Sequence, residues 1–247
     1  MAWSAVAGPA LFVAACLVVA LRLLTAARHT GGMEERAIAT ALLGAGVAGY
    51  GLIGAVPVLF PDLSAANLHL ASCLGDLGIS TGCVAIYFFT WRTFRAQPIW
   101  AEVVFFGAIA LLGASFAANL ARGSYALPYA ERPALFHVAL GVQGSSFAWG
   151  CFEALRSGIR LRRRARLGIE NREVALRIFA FGAAAGSALA LFVGYVVLFL
   201  RQDGLVPSAD VVALLSTPGW LAAAAVWLAF FLPSGLRPER TTRDRVE

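Results

Sequence analysis

Seven long apolar segments, separated by short polar ones, are the feature that most constrains this chain. A membrane span needs about 20 mostly apolar residues, and each segment reaches that length. They cover residues 5–27, 36–60, 64–91, 98–120, 133–156, 172–200 and 208–232. The connecting segments leave no room for a second domain. The pattern therefore predicts an all-α membrane protein, with a single seven-transmembrane-helix bundle over residues 1–232 and a basic tail over residues 233–247.

The distribution of arginine predicts the orientation of this bundle. Arginines are frequent after the first, third and fifth spans and in the tail, and few on the other side. Basic residues accumulate on the cytoplasmic side of membrane proteins. We therefore expect the N-terminus outside, the C-terminus in the cytoplasm and a multi-pass location in the bacterial inner (plasma) membrane. Tyr125 and Tyr129 lie near span ends, where aromatic side chains form interfacial belts.

The composition excludes several kinds of chemistry. The mean hydropathy is +0.75, and all 20 basic residues are arginine. Without lysine there is no retinal or pyridoxal Schiff base and no P-loop lysine for nucleotide phosphates. The chain has three histidines and lacks HExxH and GxSxG patterns, which argues against zinc- and serine-dependent hydrolysis. The sequence therefore favours a protein that is not an enzyme.

One face of the third predicted span carries a polar stripe within an apolar run. At spacings of 4, 3, 4, 3 and 4 residues, the stripe consists of His69, Cys73, Asp76, Ser80, Cys83 and Tyr87. Such spacing places side chains on one helix face, and a polar face in lipid is expected to turn into the bundle. Asp76 falls near the middle of the span. A carboxylate there is costly unless it is paired, hydrated or protonated.

A second polar group lies on the fifth predicted span and includes His137 and Gln143. Spans three and five run in the same direction. Because His69 and His137 lie at similar distances from the starts of their spans, both imidazoles are expected at the same depth in the outer half. The predicted ligand-binding site consists of His69, Cys73, Asp76, Ser80, His137 and Gln143.

Three functions fit this predicted site. The leading one is a sensor-like or regulatory membrane protein that binds a small or lipophilic ligand in the outer half of the bundle, with no cofactor. A transporter would instead use Asp76 as a proton or cation site. A redox protein would use His69 and His137 as axial ligands of haem b or as ligands of a metal ion. The sequence leaves the two alternatives open.

The longest cytoplasmic segment, residues 156–172, forms a basic surface. Its arginines include Arg160, Arg162, Arg163, Arg164 and Arg166. These side chains are expected to contact anionic lipid head groups, and docking of a cytoplasmic partner is the alternative. No nucleic-acid readout module accompanies the charge, so nucleic acid is not expected as a partner. Glu153 is predicted to pair with Arg156, three residues further along the same helix.

Small residues recur at four-residue spacing on the sixth span. The stripe consists of Gly182, Gly186, Ala190 and Gly194. Such residues allow helices to approach closely in lipid. We expect the stripe to pack within the bundle, and a homodimer face is the alternative.

Two stretches resemble segments of uncharacterised bacterial seven-helix membrane proteins. In "FFTWRTFRAQPIWA" (88–101), a Phe-Thr-Trp-Arg turn follows the third span. In "FEALRSGIRLRRRARLGIENREVALRIFAFGAAAG" (152–186), a basic loop with Leu-Gly precedes the sixth. Together they cover about a fifth of the chain. The resemblance implies the seven-helix topology and no particular activity.

Overall fold

The computed structural model describes residues 3–56, 60, 62–167, 172–200 and 209–231. Its long helices are α1 (Trp3–Thr30), α2 (Met33–Ala41, continued as a π-helix by Leu42–Ala55), α3 (Ala65–Phe94), α4 (Ile99–Ala121), α5 (Ala134–Arg166), α6 (Arg172–Leu200) and α7 (Ala209–Phe230). Residues 122–133, here called the capping segment, join α4 to α5 and contain 3-10 turns at Ser124–Ala126 and Tyr129–Glu131. All regular structure within the described ranges is helical, which confirms the predicted all-α class.

Five helices in the described part of the chain are long and apolar enough to cross a membrane. They lie at Ala10–Thr30, Met33–Gly54, Ala65–Phe94, Ile99–Ala121 and Val174–Val197. Gly219–Phe230, within α7, is a shorter apolar helix. α5 is not among the five, because polar residues such as His137, Gln143 and Ser146 lower the hydropathy of its first half. The fold is therefore that of a helical protein with membrane-spanning segments.

Helix boundaries follow the predicted spans where local capping is strong. α3 begins after Ser64, whose Oγ accepts a 3.3 Å hydrogen bond from the backbone N–H of Asn67, and α4 begins after Pro98. α5 instead continues past residue 156 to Arg166. Its arginines therefore lie on a helix rather than in a loop, and the end of the bundle at which they lie is called the basic end. The predicted tail, 233–247, lies outside the described residues.

The helices pack in sequential order, with α3 on the inside of the bundle. α3 contacts α2, α4 and α5, while α7 packs against both α6 and α1. The rings of Phe89 and Phe181, 5.1 Å apart, also join α3 to α6. One core cluster takes residues from all seven helices, among them Val19, Ile79 and Leu191. Because α3 has neighbours on several sides, its polar stripe is shielded from lipid.

Glycine allows the backbones of α2 and α3 to meet. A Cβ atom at Gly44 would lie 2.7 Å from the carbonyl oxygen of Gly78, and one at Gly78 would lie 2.9 Å from the carbonyl oxygen of Gly44. Side-chain atoms do not tolerate such distances, so this crossing requires glycine on both helices. The close approach fixes α3 against the π-helical part of α2 and so holds Asp76 in the interior.

Part of the small-residue stripe of α6 faces α5. A Cβ atom at Gly182 would lie 3.1 Å from the backbone nitrogen of Leu155, and one at Gly186 would lie 3.1 Å from Sγ of Cys151. These two positions therefore serve packing within the bundle. Ala190 is exposed, and a homodimer contact through this stripe stays a prediction.

Candidate functional site

The polar stripe of α3 lies largely in the bundle interior. Its buried members are Cys73, Asp76, Ser80, Cys83 and Tyr87, while His69 is half-buried. Asp76 has a relative exposure of 8%. From Ala65, where α3 begins, Asp76 lies about 16 Å along the helix axis at 1.5 Å per residue. A carboxylate at this depth has little access to bulk water and depends on protein donors.

Two side chains supply those donors. The hydroxyl of Tyr125 donates to Oδ2 of Asp76 at 2.6 Å, and Nε2 of Gln143 donates to Oδ1 at 3.0 Å. Nε2 of Gln143 also donates to Oγ of Ser80 at 3.1 Å. The structure thus brings together three of the predicted site residues, Asp76, Ser80 and Gln143. Together with Tyr125, these three residues form a hydrogen-bonded group of four side chains that we call the Asp76 network.

The capping segment folds into the bundle and closes the site from one end. Gly123 begins its first turn with a φ of 63°, a conformation that favours glycine. Tyr125 is completely buried, and Arg132 has a relative exposure of 4%. The guanidinium of Arg132 donates to the carbonyl oxygens of Tyr125 at 3.4 Å and Leu127 at 3.2 Å. It also lies 4.2 Å above the ring of Tyr129, which fixes the turn over the site.

Ionisation of the capping segment is governed by burial. Burial, followed by the charge of Asp76, raises the pKa of Tyr125, so this residue remains a phenol and a donor. Burial also raises the pKa of Tyr129 to about 12, against the opposing effect of Arg132. The pKa of Arg132 is lowered by its burial, while Tyr129 and Asp76 oppose that change.

The interfacial belt position expected for Tyr125 and Tyr129 is wrong, because both side chains are buried in the interior.

A cavity of about 30 Å³ lies beside Asp76. It is lined by Tyr50, Ile53, Asp76, Ile79, Tyr129, Leu140, Gln143, Phe192, Tyr195 and Val196. Two buried polar atoms of this lining, the Tyr50 hydroxyl and Oε1 of Gln143, have no hydrogen-bond partner among the described residues. A space of this size accommodates about one water molecule or one small ion. The cavity is therefore too small, as it stands, for a lipophilic ligand.

Two further cavities follow towards the basic end. An apolar cavity of about 70 Å³ shares Tyr50 with the cavity beside Asp76. A larger one, of about 400 Å³, has Arg22, Glu34, Glu35 and Arg177 in its lining. The two are joined through residues that line both, which are Ile38, Phe89, Phe181 and Phe230. A succession of spaces therefore runs from the basic end to the Asp76 network, interrupted by apolar side chains and by Tyr50.

The two histidines have different surroundings. The ring of His69 lies 6.2 Å from that of Tyr125, and its buried Nδ1 has no hydrogen-bond partner in the described part of the chain. His137 packs against its neighbour Phe136 at 5.7 Å. Along α5, His137 shares a face with Gly144, which is turned towards Phe192 of α6. Within the described residues, no three His, Cys, Asp or Glu side chains group as metal ligands.

The basic end presents the predicted arginines on the last turns of α5. All five are exposed: Arg160, Arg162, Arg163, Arg164 and Arg166. One partly buried ion pair lies on the bundle side of them. Oε1 of Glu153 is 2.9 Å from Nε of Arg95, the residue that directly follows α3. The expected pairing of Glu153 with Arg156 is therefore wrong, because the packing of α3 against α5 supplies a basic partner from another helix.

Tyr125, Arg132 and Tyr50 are residues of the site that the sequence pattern does not indicate. Tyr125 and Arg132 lie in "GSYALPYAER", residues 123–132. In sequence, this stretch resembles an ordinary connection between two spans, and nothing in it indicates that the tyrosine and the arginine are buried. Comparisons with protein-family models, curated proteins and solved structures find no match to this chain. The geometry itself defines a helical membrane protein with a buried polar centre.

Proposed function

We propose that the protein is a seven-span, sensor-like or regulatory protein of the bacterial inner membrane, with its N-terminus outside and its C-terminus in the cytoplasm. Its ligand site is the Asp76 network in the outer half of the bundle. The observation that carries the proposal is that one buried carboxylate joins α3, the capping segment and α5 through Tyr125 and Gln143. A small polar ligand that changes the charge or contacts of Asp76 acts on all three elements.

α5 is the proposed connection between the ligand site and the cytoplasm. Gln143 and Arg166 lie on this one helix, about 35 Å apart along its axis at 1.5 Å per residue. A change in the hydrogen bonds of Gln143 therefore acts on the element that carries the exposed arginines. Those arginines provide a surface for anionic lipid head groups or for a cytoplasmic partner. The output of the protein is a change in how this surface is presented.

Hydrogen exchange in lipid nanodiscs tests this connection. Asp76→Asn removes the charge with little change in volume and weakens the contacts of Tyr125 and Gln143. We expect faster amide exchange in the capping segment and also in residues 156–166. Ser115→Ala is the control, because it removes a hydroxyl that donates to the carbonyl oxygen of Leu135 on α5 at 3.2 Å but lies outside the Asp76 network. Unchanged exchange of residues 156–166 in Asp76→Asn would contradict the regulatory proposal.

Transport through Asp76 is the second candidate function, and the succession of cavities favours it. The spaces that follow one another from the basic end to Asp76 provide the interior half of a route for a proton or a small cation. Flux in proteoliposomes is measured for the wild type and for Asp76→Asn. Transport predicts flux above that of empty liposomes, and predicts its loss in the variant. Equal flux in both proteins removes this candidate.

A further inference from the structure

The cavity beside Asp76 is lined by two residues that carry a buried oxygen atom without a partner in the described part of the chain. Oε1 of Gln143 and the hydroxyl of Tyr50 are both buried and have no hydrogen-bond partner among the described residues. Their residues have relative exposures of 1% and 7%. Both line the same cavity of about 30 Å³ as Asp76. Buried polar atoms are rarely left unsatisfied, so such a grouping indicates a bound species.

We infer that this cavity is the binding site of a single sodium ion, held by the carboxylate of Asp76, Oε1 of Gln143 and the hydroxyl oxygen of Tyr50. The inference rests on the proposed function, since it names the small ligand of the Asp76 network. Carboxylate, amide and hydroxyl oxygens are the hard ligands that alkali and alkaline-earth cations prefer. Tyr129 and Tyr195 also line the cavity.

The orientation of Gln143 follows from its hydrogen bonds. Its Nε2 donates to Asp76 at 3.0 Å and to Ser80 at 3.1 Å. Turning the amide by half a rotation would place Oε1 against the carboxylate, where two acceptors repel each other. The amide is therefore held with Oε1 available to the cavity. In this arrangement Asp76 and Gln143 both present oxygen atoms to a cation.

The charges around Asp76 favour a cation over water. A buried carboxylate is costly unless a positive charge offsets it. No basic group among the described residues forms an ion pair with Asp76. Arg132 acts on it electrostatically, but its guanidinium donates to the carbonyl oxygens of Tyr125 and Leu127. A cation in the cavity supplies the positive charge in direct contact.

The size and composition of the cavity favour sodium over a divalent ion. Calcium takes about six to eight oxygen ligands, commonly with several carboxylates, and magnesium usually keeps several waters. This cavity has one carboxylate in its lining and a volume of about 30 Å³. Apolar side chains such as Ile79 and Leu140 complete the wall. One monovalent ion matches both the single negative charge and the space.

Binding of radiolabelled sodium to the full chain in nanodiscs tests the inference. Sodium chloride replaces choline chloride at constant ionic strength, and the thermal midpoint is followed in parallel. We expect saturable binding of one ion per chain and a rise in the midpoint, because a ligand of the folded state stabilises it. Tyr50→Phe removes one ligand oxygen while keeping the ring and should weaken binding by roughly tenfold, as loss of a metal-site contact does.

Tyr87→Phe is the matched control, because it too removes one tyrosine hydroxyl from a buried residue, in this case a hydroxyl between α3 and α5. That hydroxyl donates to the carbonyl oxygen of Val142 at 2.9 Å, and Tyr87 does not line the cavity. Its sodium affinity should equal that of the wild type. Equal weakening in both variants overturns the assignment of Tyr50. Identical thermal midpoints in sodium and choline, with no retained label, show that the cavity holds water only and overturn the site.

The sodium site and the regulatory function can fail separately. If sodium does not bind but Asp76→Asn alters the exchange of residues 156–166, the sodium site is refuted and the proposed function is supported. Sodium binding with unchanged exchange in those residues supports the ion site and contradicts the regulatory output.

Discussion

Tyr125 donates a 2.6 Å hydrogen bond to Oδ2 of Asp76, which lies 49 positions earlier in the chain. Tyr125 belongs to the capping segment and is completely buried, whereas Asp76 belongs to α3. Hydrogen bonds to ionised carboxylates are shorter and stronger than those between neutral groups. The contact therefore makes the capping segment part of the site, and it ties the position of this segment to the state of Asp76.

Replacement of Tyr125 by phenylalanine tests this contact. Tyr125→Phe keeps the ring, which packs 6.0 Å from Phe116, and removes the donor to Asp76. We expect the free energy of unfolding to fall by about 1.5–3 kcal/mol, the range for a hydrogen bond to a charged group. Denaturant unfolding in detergent micelles measures it. In combination with Asp76→Asn the two losses should be less than additive, and strict additivity would argue against coupling between the two residues.

Gln143 has a different role, because it satisfies Asp76 and Ser80 together. Gln143→Leu leaves the carboxylate with one protein donor fewer and leaves the Ser80 hydroxyl without Nε2. We expect the free energy of unfolding to fall by about 1–3 kcal/mol for each buried group left unsatisfied, measured by the same unfolding method.

Gln143→Glu retains the shape but adds a carboxyl group beside Asp76. Its stability should improve as the pH falls, since protonation relieves the repulsion, and a pH-independent deficit would contradict this account.

The crossing of α2 and α3 makes a prediction about glycine. Gly44→Ala would place a Cβ atom 2.7 Å from the carbonyl oxygen of Gly78, so the helices must separate. We expect a loss of about 1–3 kcal/mol, as for other overpacked cores. Gly113→Ala on α4 is the control, because nothing lies within 4 Å of its new Cβ atom. It should be neutral or stabilising by roughly 0.5–1 kcal/mol, and equal thermal midpoints for the two variants would contradict the close approach.

The helical class and the α3 stripe could be predicted because both depend on local pattern. Runs of about 20 apolar residues require helices in lipid, and the helical repeat fixes which residues share a face. The pattern therefore predicts Asp76 and Ser80 on one inward face. Their contact with Gln143 depends in addition on the rotation of α5 about its own axis, which no single-helix periodicity determines. What the rotation of α5 does decide is which neighbour each face meets: Gln143 faces Asp76, whereas the face that His137 shares with Gly144 is turned towards Phe192 of α6.

The contribution of the capping segment could not be read from the sequence. Tyr125 and Arg132 fall between two apolar runs, where an interfacial belt is the ordinary expectation. Their inward position depends on the turn at Gly123 and on the hydrogen bonds of Arg132 to nearby carbonyl oxygens. Tertiary packing decided the partner of Glu153 in the same way. Sequence spacing identifies neighbours on one helix, whereas Arg95 approaches from another.

The capping segment also makes the stability depend on alkaline pH. Burial raises the pKa of Tyr129 to about 12, whereas an unfolded tyrosine titrates near pH 10. The neutral phenol is therefore favoured in the folded state. Its contribution is complete below about pH 10 and is lost as the pH rises from about 10 to about 12. Thermal midpoints in that window, measured together with tyrosinate absorbance, should fall steeply in the wild type.

Tyr129→Phe should reduce the slope of the thermal midpoint against pH, because phenylalanine has no proton to lose. The slope should not vanish, since burial also raises the pKa of Tyr125. Below about pH 10 the pH dependence of the two proteins should coincide. An unchanged slope in Tyr129→Phe between about pH 10 and pH 12 would show that this phenol does not govern alkaline unfolding.

The ion pair of Arg95 and Glu153 fixes α3 to α5 near the basic end. Its 2.9 Å contact joins a side chain that is 29% exposed to one that is 6% exposed. Arg95→Ala leaves the carboxylate buried without its partner. We expect a loss between the roughly 1 kcal/mol of an exposed pair and the roughly 3–5 kcal/mol of a buried one, measured by denaturant unfolding. Arg92→Ala is the control, since Arg92 is an exposed arginine in the last turn of α3 and should have little effect.

A second substitution separates the lost attraction from the cost of the unpaired charge. Glu153→Gln introduced into Arg95→Ala removes the buried negative charge, so stability should recover in part towards that of the wild type. A neutral amide at this position still needs a hydrogen-bond partner, and recovery should therefore be incomplete. If the double variant unfolds at the same denaturant concentration as Arg95→Ala, the instability comes from lost packing of the arginine stem on Trp100, whose ring lies 5.9 Å from the guanidinium.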